Sequence, residues 1–296
     1  MNGWRECRNA PCPICGHRGW CGVSEDGAAV HCMRTPSAHP CASGGWFHFL
    51  AERPRRATGQ SWPVRPPRPV RPVLDMARTM EGFRREFECG PSGGDIFDSL
   101  LEIGRDLALV PRDVDSLRVG RSAYHGAWAF PMLDAAGQTV GIRLREYGSS
   151  RKWSVPGSRD GLFYDPELAA DGGELVVVEG ATDCIAATAL GLSAVGRSSC
   201  GTGAPLLREL CDRLRVRRVT IVSDNDRHRF RPDGHPWRPG IDGARRLGAA
   251  LGRAHRIVIP PCKDLRDWLA AGLTPATFRM VADLQRWITP ERNSHQ

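Results

Sequence analysis

Three apolar runs in the second half of the chain end on acid. Residues 175–178 stop at Glu179, residues 219–222 give way to Asp224 and Asp226, and residues 257–259 lead to Asp264 and Asp267. Each run has the length of a buried parallel strand, and helical periodicity follows over 182–190 and 243–251, so the segment predicts βαβ units. In such a sheet the carboxyl ends of the strands share one edge, where ligands bind, and the acids are expected to converge there. Upstream, a helix over 96–106 leads to short strands over 127–132 and 139–145 turned at Ala136-Gly137, and a last helix is expected over 274–287.

Convergence has a chemical consequence. Carboxylates a few ångströms apart raise one another's pKa and call for a cation. Magnesium or manganese suits this, because a hard ion takes one or two carboxylates together with water and substrate phosphates. Glu179, Asp183, Asp224, Asp226, Asp264 and Asp267 form the candidate set.

The amino-terminal segment carries a separate signal. Cys12 and Cys15 form a CxxC knuckle, and Cys21 and Cys32 flank Asp26-Gly27, a strong hairpin turn signal. A two-residue turn there sets Cys21 opposite Cys32, close enough to share a tetrahedral zinc with the knuckle. His31, His39, Cys41 and His48 remain alternative ligands.

Composition narrows the setting. The 296 residues give room for a small metal module plus one or two domains, and a net charge of +8 suits a polyanionic partner. Eleven cysteines is an odd number for a disulfide scaffold. The start, Met1 to Pro13, lacks the apolar core of a signal peptide, so a cytoplasmic location is expected. No apolar run is long enough to span a membrane. The remaining cysteines, Cys7, Cys89, Cys184, Cys200, Cys211 and Cys262, are expected to be small buried hydrophobes. Of the 41 basic residues only Lys152 and Lys263 are lysines, and neither follows a glycine, so there is no P-loop.

Val178-Glu179-Gly180-Ala181-Thr182-Asp183, Asp224-Asn225-Asp226 and the segment from Lys263-Asp264 to Asp267 resemble the three motifs of the TOPRIM domain of bacterial-type primases and some topoisomerases. Ala129-Phe130-Pro131-Met132, Gly137, Gly141 to Arg145 and Lys152-Trp153-Ser154 look like the half of the primase RNA polymerase core that precedes TOPRIM; topoisomerases and nickases lack it. Ser199-Cys200-Gly201-Thr202 sits where the family has a Gly-Thr turn. The resemblance implies an α/β protein: a small zinc-ribbon-like β module (1–50), a Pro/Arg-rich linker (51–73), an α+β subdomain (74–172), a Rossmann-like, mainly parallel TOPRIM domain (173–273) and a terminal helix and tail (274–296). It further implies a DNA primase that copies single-stranded DNA from ribonucleoside triphosphates. Glu179, Asp224 and Asp226 would hold catalytic magnesium or manganese, with Glu179 a proton acceptor. Arg143, Arg145, Lys152 and Lys263 would face the nucleotide or template, and one structural zinc would sit in the amino-terminal module.

With no long extension after residue 290, a minimal primase is expected, and a replicative helicase would be a separate partner. Residues 227–240 intervene where relatives pass directly from the second acidic pair to a helix; their Arg and Trp side chains could clamp a strand or be inert. Two rival readings stand: a TOPRIM nuclease or nickase, and a non-catalytic zinc-dependent DNA-binding protein.

Overall fold

The structure, a computed structural model, describes residues 4–8, 10–41, 45–50, 74–169, 173–199, 201–230 and 236–289. The linker 51–73, Cys200 and residues 231–235 of the intervening segment lie outside the described residues. Two compact units make up the chain: Met1–Val70 with Phe230–Pro236, and Arg71–Arg229 with Trp237–Gln296.

In the first unit, strands β1 (Trp4–Glu6), β2 (Gly22–Ser24), β3 (Ala29–Cys32) and β4 (Trp46–Phe49) form an antiparallel sheet in that order. Gly22 pairs with His31 and Val23 with Val30, the register expected from the turn signal. The turn itself is wider than two residues. The Asp26 carboxylate accepts from the Ser24 hydroxyl (2.5 Å) and the Ala28 N–H (3.0 Å), while Gly27 takes φ +69°, so side-chain bonds close the loop.

The second unit opens with α1 (Met76–Glu88), α2 (Ile96–Leu107) and the short α3 (Pro111–Val114). Strands β5 (Gly120–Ser122), β6 (Ala127–Leu133), β7 (Thr139–Glu146), β8 (Lys152–Ser154) and β9 (Leu162–Phe163) follow. Then come β10 (Glu174–Glu179), α4 (Ala181–Ala189), β11 (Ala194–Arg197), α5 (Ala204–Arg213) and β12 (Arg218–Val222). The chain continues through the short strands β13 (Arg229–Phe230) and β14 (Pro236–Trp237), then α6 (Pro239–Leu251), β15 (Ala254–Val258), α7 (Leu265–Ala270) and α8 (Pro275–Asp283).

One nine-stranded sheet runs through this unit in the order β15-β12-β10-β11-β9-β6-β7-β8, with β5 beside β6. Its first four strands are parallel and the rest antiparallel. The two-residue β9, antiparallel to both β11 and β6, joins the two halves, which sequence patterning treated separately.

The parallel half is apolar on both faces, and so its strands read as unbroken runs. Val176 and Val178 of β10 pack with Ile185, Val222, Val258 and Trp268 on one face. Leu175 and Val177 pack with Leu207, Ile221 and Leu247 on the other. Full burial of each such side chain stabilises the fold by about 1.5–3 kcal/mol before conformational entropy is counted.

Several expectations need correction. Strand β15 begins at Ala254 and ends at Val258, so Ile259 lies outside it, 43% exposed. Its early half was hidden because His255 and Arg256, though polar, are buried. Arg256 donates to Glu174 (3.0 Å), Asp283 (2.8 Å) and the Ala282 carbonyl (2.8 Å) and lies over the Trp287 ring. Helix α8 stops at Asp283 rather than Trp287, because Trp287 stacks on Arg256 and Arg218 while Ile288 pairs with His255. Of the cysteines expected inside, Cys7, Cys184 and Cys211 are buried, Cys262 is partly so, and Cys89 is exposed at the end of α1.

Candidate functional site

The parallel strands deliver their acids to one edge. Strand β10 ends at Glu179, and Gly180 turns the chain at φ +93° into α4. A side chain at Gly196 of the neighbouring strand would collide with the Gly180 carbonyl, so this turn sits directly on β11. Asp183 follows in the first turn of α4, almost fully buried. After β12, Asp224 meets the backbone of Gly240, where any Cβ would strike the Asp224 carbonyl.

Hydrogen bonds weld the second motif to the third. The Asn225 N–H donates to the Lys263 carbonyl (2.7 Å) and its side chain to the Pro260 carbonyl (2.9 Å). Arg238 donates to the Asn225 side chain and, from Nε, to the Asp226 carbonyl (3.3 Å), while the Gly240 N–H reaches Asp226 Oδ2 (3.3 Å). The carboxyl-terminal exit of the intervening segment therefore braces the acidic loop. Asp264 caps α7 by accepting from the Asp267 N–H (2.8 Å), and Asp183 accepts from the Arg266 N–H (3.0 Å).

The electrostatics record the crowding. Burial, then Glu179, Asp183, Asp264 and Asp226, push the Asp224 carboxyl up to about 8. Burial and then Asp264 push Asp183 up to about 7. Glu179 is also raised, by burial first, against the pull of Arg197. Its Oε1 is buried with no hydrogen-bond partner. A buried, unsatisfied carboxylate oxygen among like charges fits a divalent cation. Among the described residues no three of these acids bring oxygens within 4.8 Å of one another.

A basic wall stands on the antiparallel half. Arg143 and Arg145 lie on the face of β7 opposite the buried Ile142 and Leu144. Lys152 is the direct partner of Arg145 on β8. Desolvation and then Arg145 lower the Lys152 pKa, while Asp183 and Asp224 raise it, so the wall and the acids share one field. A cleft of about 50 Å³ is lined by Arg143, Arg145 and Lys152 together with Gly180, Ala181 and Thr182. Lys263 stays apart, its side chain exposed and its carbonyl engaged with Asn225.

Two residues here escaped sequence reasoning. Arg197 ends β11 as the register partner of Glu179, 2% exposed. Arg266 lies between Asp264 and Asp267, with Nη2 3.2 Å from Asp267 and 3.9 Å from Asp264. The signal was an arginine closing the apolar stretch at 194–196 and another inside the third acidic motif.

In the amino-terminal unit, Cys12, Cys15, Cys21 and Cys32 bring their sulfurs within 4.8 Å of one another, with Cys15 and Cys21 3.7 Å apart. Zn–S bonds of about 2.3 Å in a tetrahedron need sulfurs roughly 3.8 Å apart. N–H groups converge on these sulfurs: Met33 on Cys21 (3.4 Å), Arg34 and Thr35 on Cys32 (3.5 and 3.3 Å), and Arg34 Nη1 on Cys21 (3.5 Å). Such donors favour thiolates, and the set fits zinc. Of the alternatives, His48 is bonded to the Thr35 carbonyl (2.9 Å), and His31, His39 and Cys41 fall outside the cluster.

No family model matches the chain, and no curated protein matches it in sequence. Solved structures do. The E. coli primase catalytic core matches over 72% of this chain and 79% of its own, at 16% identity and TM-score 0.54. A DnaG primase catalytic domain bound to single-stranded DNA gives the same figures. The Aquifex aeolicus primase zinc-binding and RNA polymerase domains match over 72% of this chain and 60% of theirs, at 14% identity and TM-score 0.54. The matched part of the chain thus has the fold of a primase catalytic core, and the chain also contains a four-cysteine cluster. No helix among the described residues is long and apolar enough to cross a membrane.

Proposed function

We propose that this protein is a DNA primase that makes short RNA primers on a single-stranded template. The observation that carries the reading is the cleft in which Arg143, Arg145 and Lys152 stand against the start of α4, two residues from Glu179. A triphosphate is the ligand that three cations beside an acid-lined strand edge recognise best. A nuclease or nickase needs the acids but not this wall, and a passive DNA binder needs neither crowded carboxylates nor an orphaned Glu179 oxygen.

In this reading Glu179, Asp224 and Asp226 hold magnesium or manganese, and Asp183, Asp264 and Asp267 complete the acidic field. The bound ions supply charge neutralisation at the triphosphate and acidify the attacking 3′-hydroxyl. Glu179, at the end of β10 with one carboxylate oxygen free of hydrogen bonds, would be the acceptor for the hydroxyl proton. Arg143, Arg145 and Lys152 orient the phosphates; Lys263, exposed next to Asp264, faces nucleotide or template. Zinc on Cys12, Cys15, Cys21 and Cys32 holds the amino-terminal module, which presents single-stranded DNA. The domain limits are 1–50, 51–73, 74–172, 173–273 and 274–296, the setting is the cytoplasm, and a helicase would be a separate protein.

The test is incorporation of labelled ribonucleotides on random single-stranded DNA with magnesium. Template-dependent RNA of short length is expected; template cleavage without synthesis would establish the nuclease reading instead.

A further inference from the structure

The third acidic motif contains its own cation. Arg266 lies in the first turn of α7, and its guanidinium is only 17% exposed. It is paired with Asp267 at 3.2 Å and Asp264 at 3.9 Å, and its backbone N–H is held by Asp183. Its Nε is buried without a hydrogen-bond partner. From there its charge reaches both sides: it counters the raised pKa of Asp183 and lowers those of Arg145 and Lys152. One fixed positive charge thus stands between the acids and the basic wall.

An arginine at this place differs from a bound metal in two respects. It cannot be deprotonated or diluted away, and its planar fork engages more than one carboxylate. Carboxylates already paired to a guanidinium are poor ligands, and a second cation brought beside it meets repulsion. We propose that Arg266 is a resident counter-cation that withholds Asp264 and Asp267 from metal ligation, confining divalent ions to Glu179, Asp224 and Asp226. The proposal rests on the reading of those three as ligands, and not on what reaction the protein catalyses.

The experiment is a manganese titration of the full zinc-containing chain, followed by calorimetry and by the paramagnetic resonance of free Mn²⁺. Arg266→Ala should bind Mn²⁺ at least fivefold more tightly, or take up one further equivalent, whereas Arg266→Lys should stay near wild type. The double variant Asp264→Asn/Asp267→Asn should keep the wild-type Mn²⁺ stoichiometry, at an affinity lowered only by the lost acidic field, but abolish the gain in an Arg266→Ala background. An unchanged isotherm in Arg266→Ala overturns the proposal. So does a loss of wild-type Mn²⁺ binding in the double variant, which remains informative should Arg266→Ala fail to fold. Absence of primer synthesis with this Mn²⁺ pattern intact would count against the polymerase reading alone.

Discussion

Arg145 on β7 and Lys152 on β8 are direct partners across an antiparallel pair, two cations side by side. Like charges in this position destabilise a sheet, by roughly 0.2–1 kcal/mol. Both pKa values are lowered, by desolvation first and then by a neighbouring cation: Arg266 for the partly buried Arg145, and Arg145 for Lys152, whose side chain is exposed. The arrangement costs stability in the free protein and is relieved by an anion. Lys152→Met should therefore raise the melting temperature slightly while raising the KM for ribonucleoside triphosphate about tenfold or more, since a phosphate-binding charge is worth about 1.5–3 kcal/mol. Thermal unfolding and steady-state kinetics on the same sample check both signs. A fall in stability with unchanged KM would make Lys152 structural.

Glu179→Gln and Asp224→Asn should each cut nucleotide incorporation at least about a hundredfold. The metal-free fold should be about as stable as wild type, because each change replaces a carboxyl that the crowded, desolvated cluster already drives toward its neutral form. Near-normal synthesis by either folded variant would remove that residue from the mechanism.

Asp224 makes divalent-ion binding depend on pH. Its folded pKa, about 8, lies above the ordinary aspartate value. Its contribution to stability without metal is therefore full below the unfolded pKa, near 4, and is lost as pH rises through about 8. Metal binding needs the ionised form, so affinity should climb up to about pH 8, by at most about tenfold per unit for this one proton. At pH 7 each bound ion should release protons, measurable by calorimetry in buffers of different ionisation enthalpy. Affinity flat from pH 6 to 8 would contradict this.

The protein should contain one zinc per chain. Burial pushes the Cys21 thiol up to about 12 in the metal-free module, so an ion must displace its proton, and binding should weaken as pH falls. Cys21→Ser should lower zinc content well below one equivalent and loosen the module, whose core is little more than Val30, Cys7 and the ligands. Metal analysis and hydrogen exchange read both effects.

Gly240→Ala tests the support of the acidic loop. The added methyl meets the Asp224 backbone, and overpacking of this kind costs about 1–3 kcal/mol. Activity should fall by more than the folded fraction does, because the displaced carboxylate is the one that would hold metal. Equal losses in both would assign Gly240 to stability only.

The acid-ended strands and the facing thiols were legible in sequence because they obey local rules: an apolar run buried on both faces, and a hairpin whose register a turn signal fixes. Arg143, Arg145 and Lys152 were legible only through family resemblance, since nothing local to a basic residue says what it faces. Tertiary structure alone decided the rest. It joined the two halves of the sheet through β9, a pairing of two residues too short to leave a pattern. It also set Arg197 beside Glu179 across adjacent parallel strands, and Arg256 in a buried network closed by Trp287. It placed Arg266 between the acids and the wall. The β9, Arg197 and Arg256 contacts join residues distant in the chain, where periodicity carries no information, and Arg197 and Arg256 each put a charge where hydrophobic patterning reads a gap. The chain's own sequence determines which strands form and where they end; the energy of a buried charge is determined by what the fold brings against it.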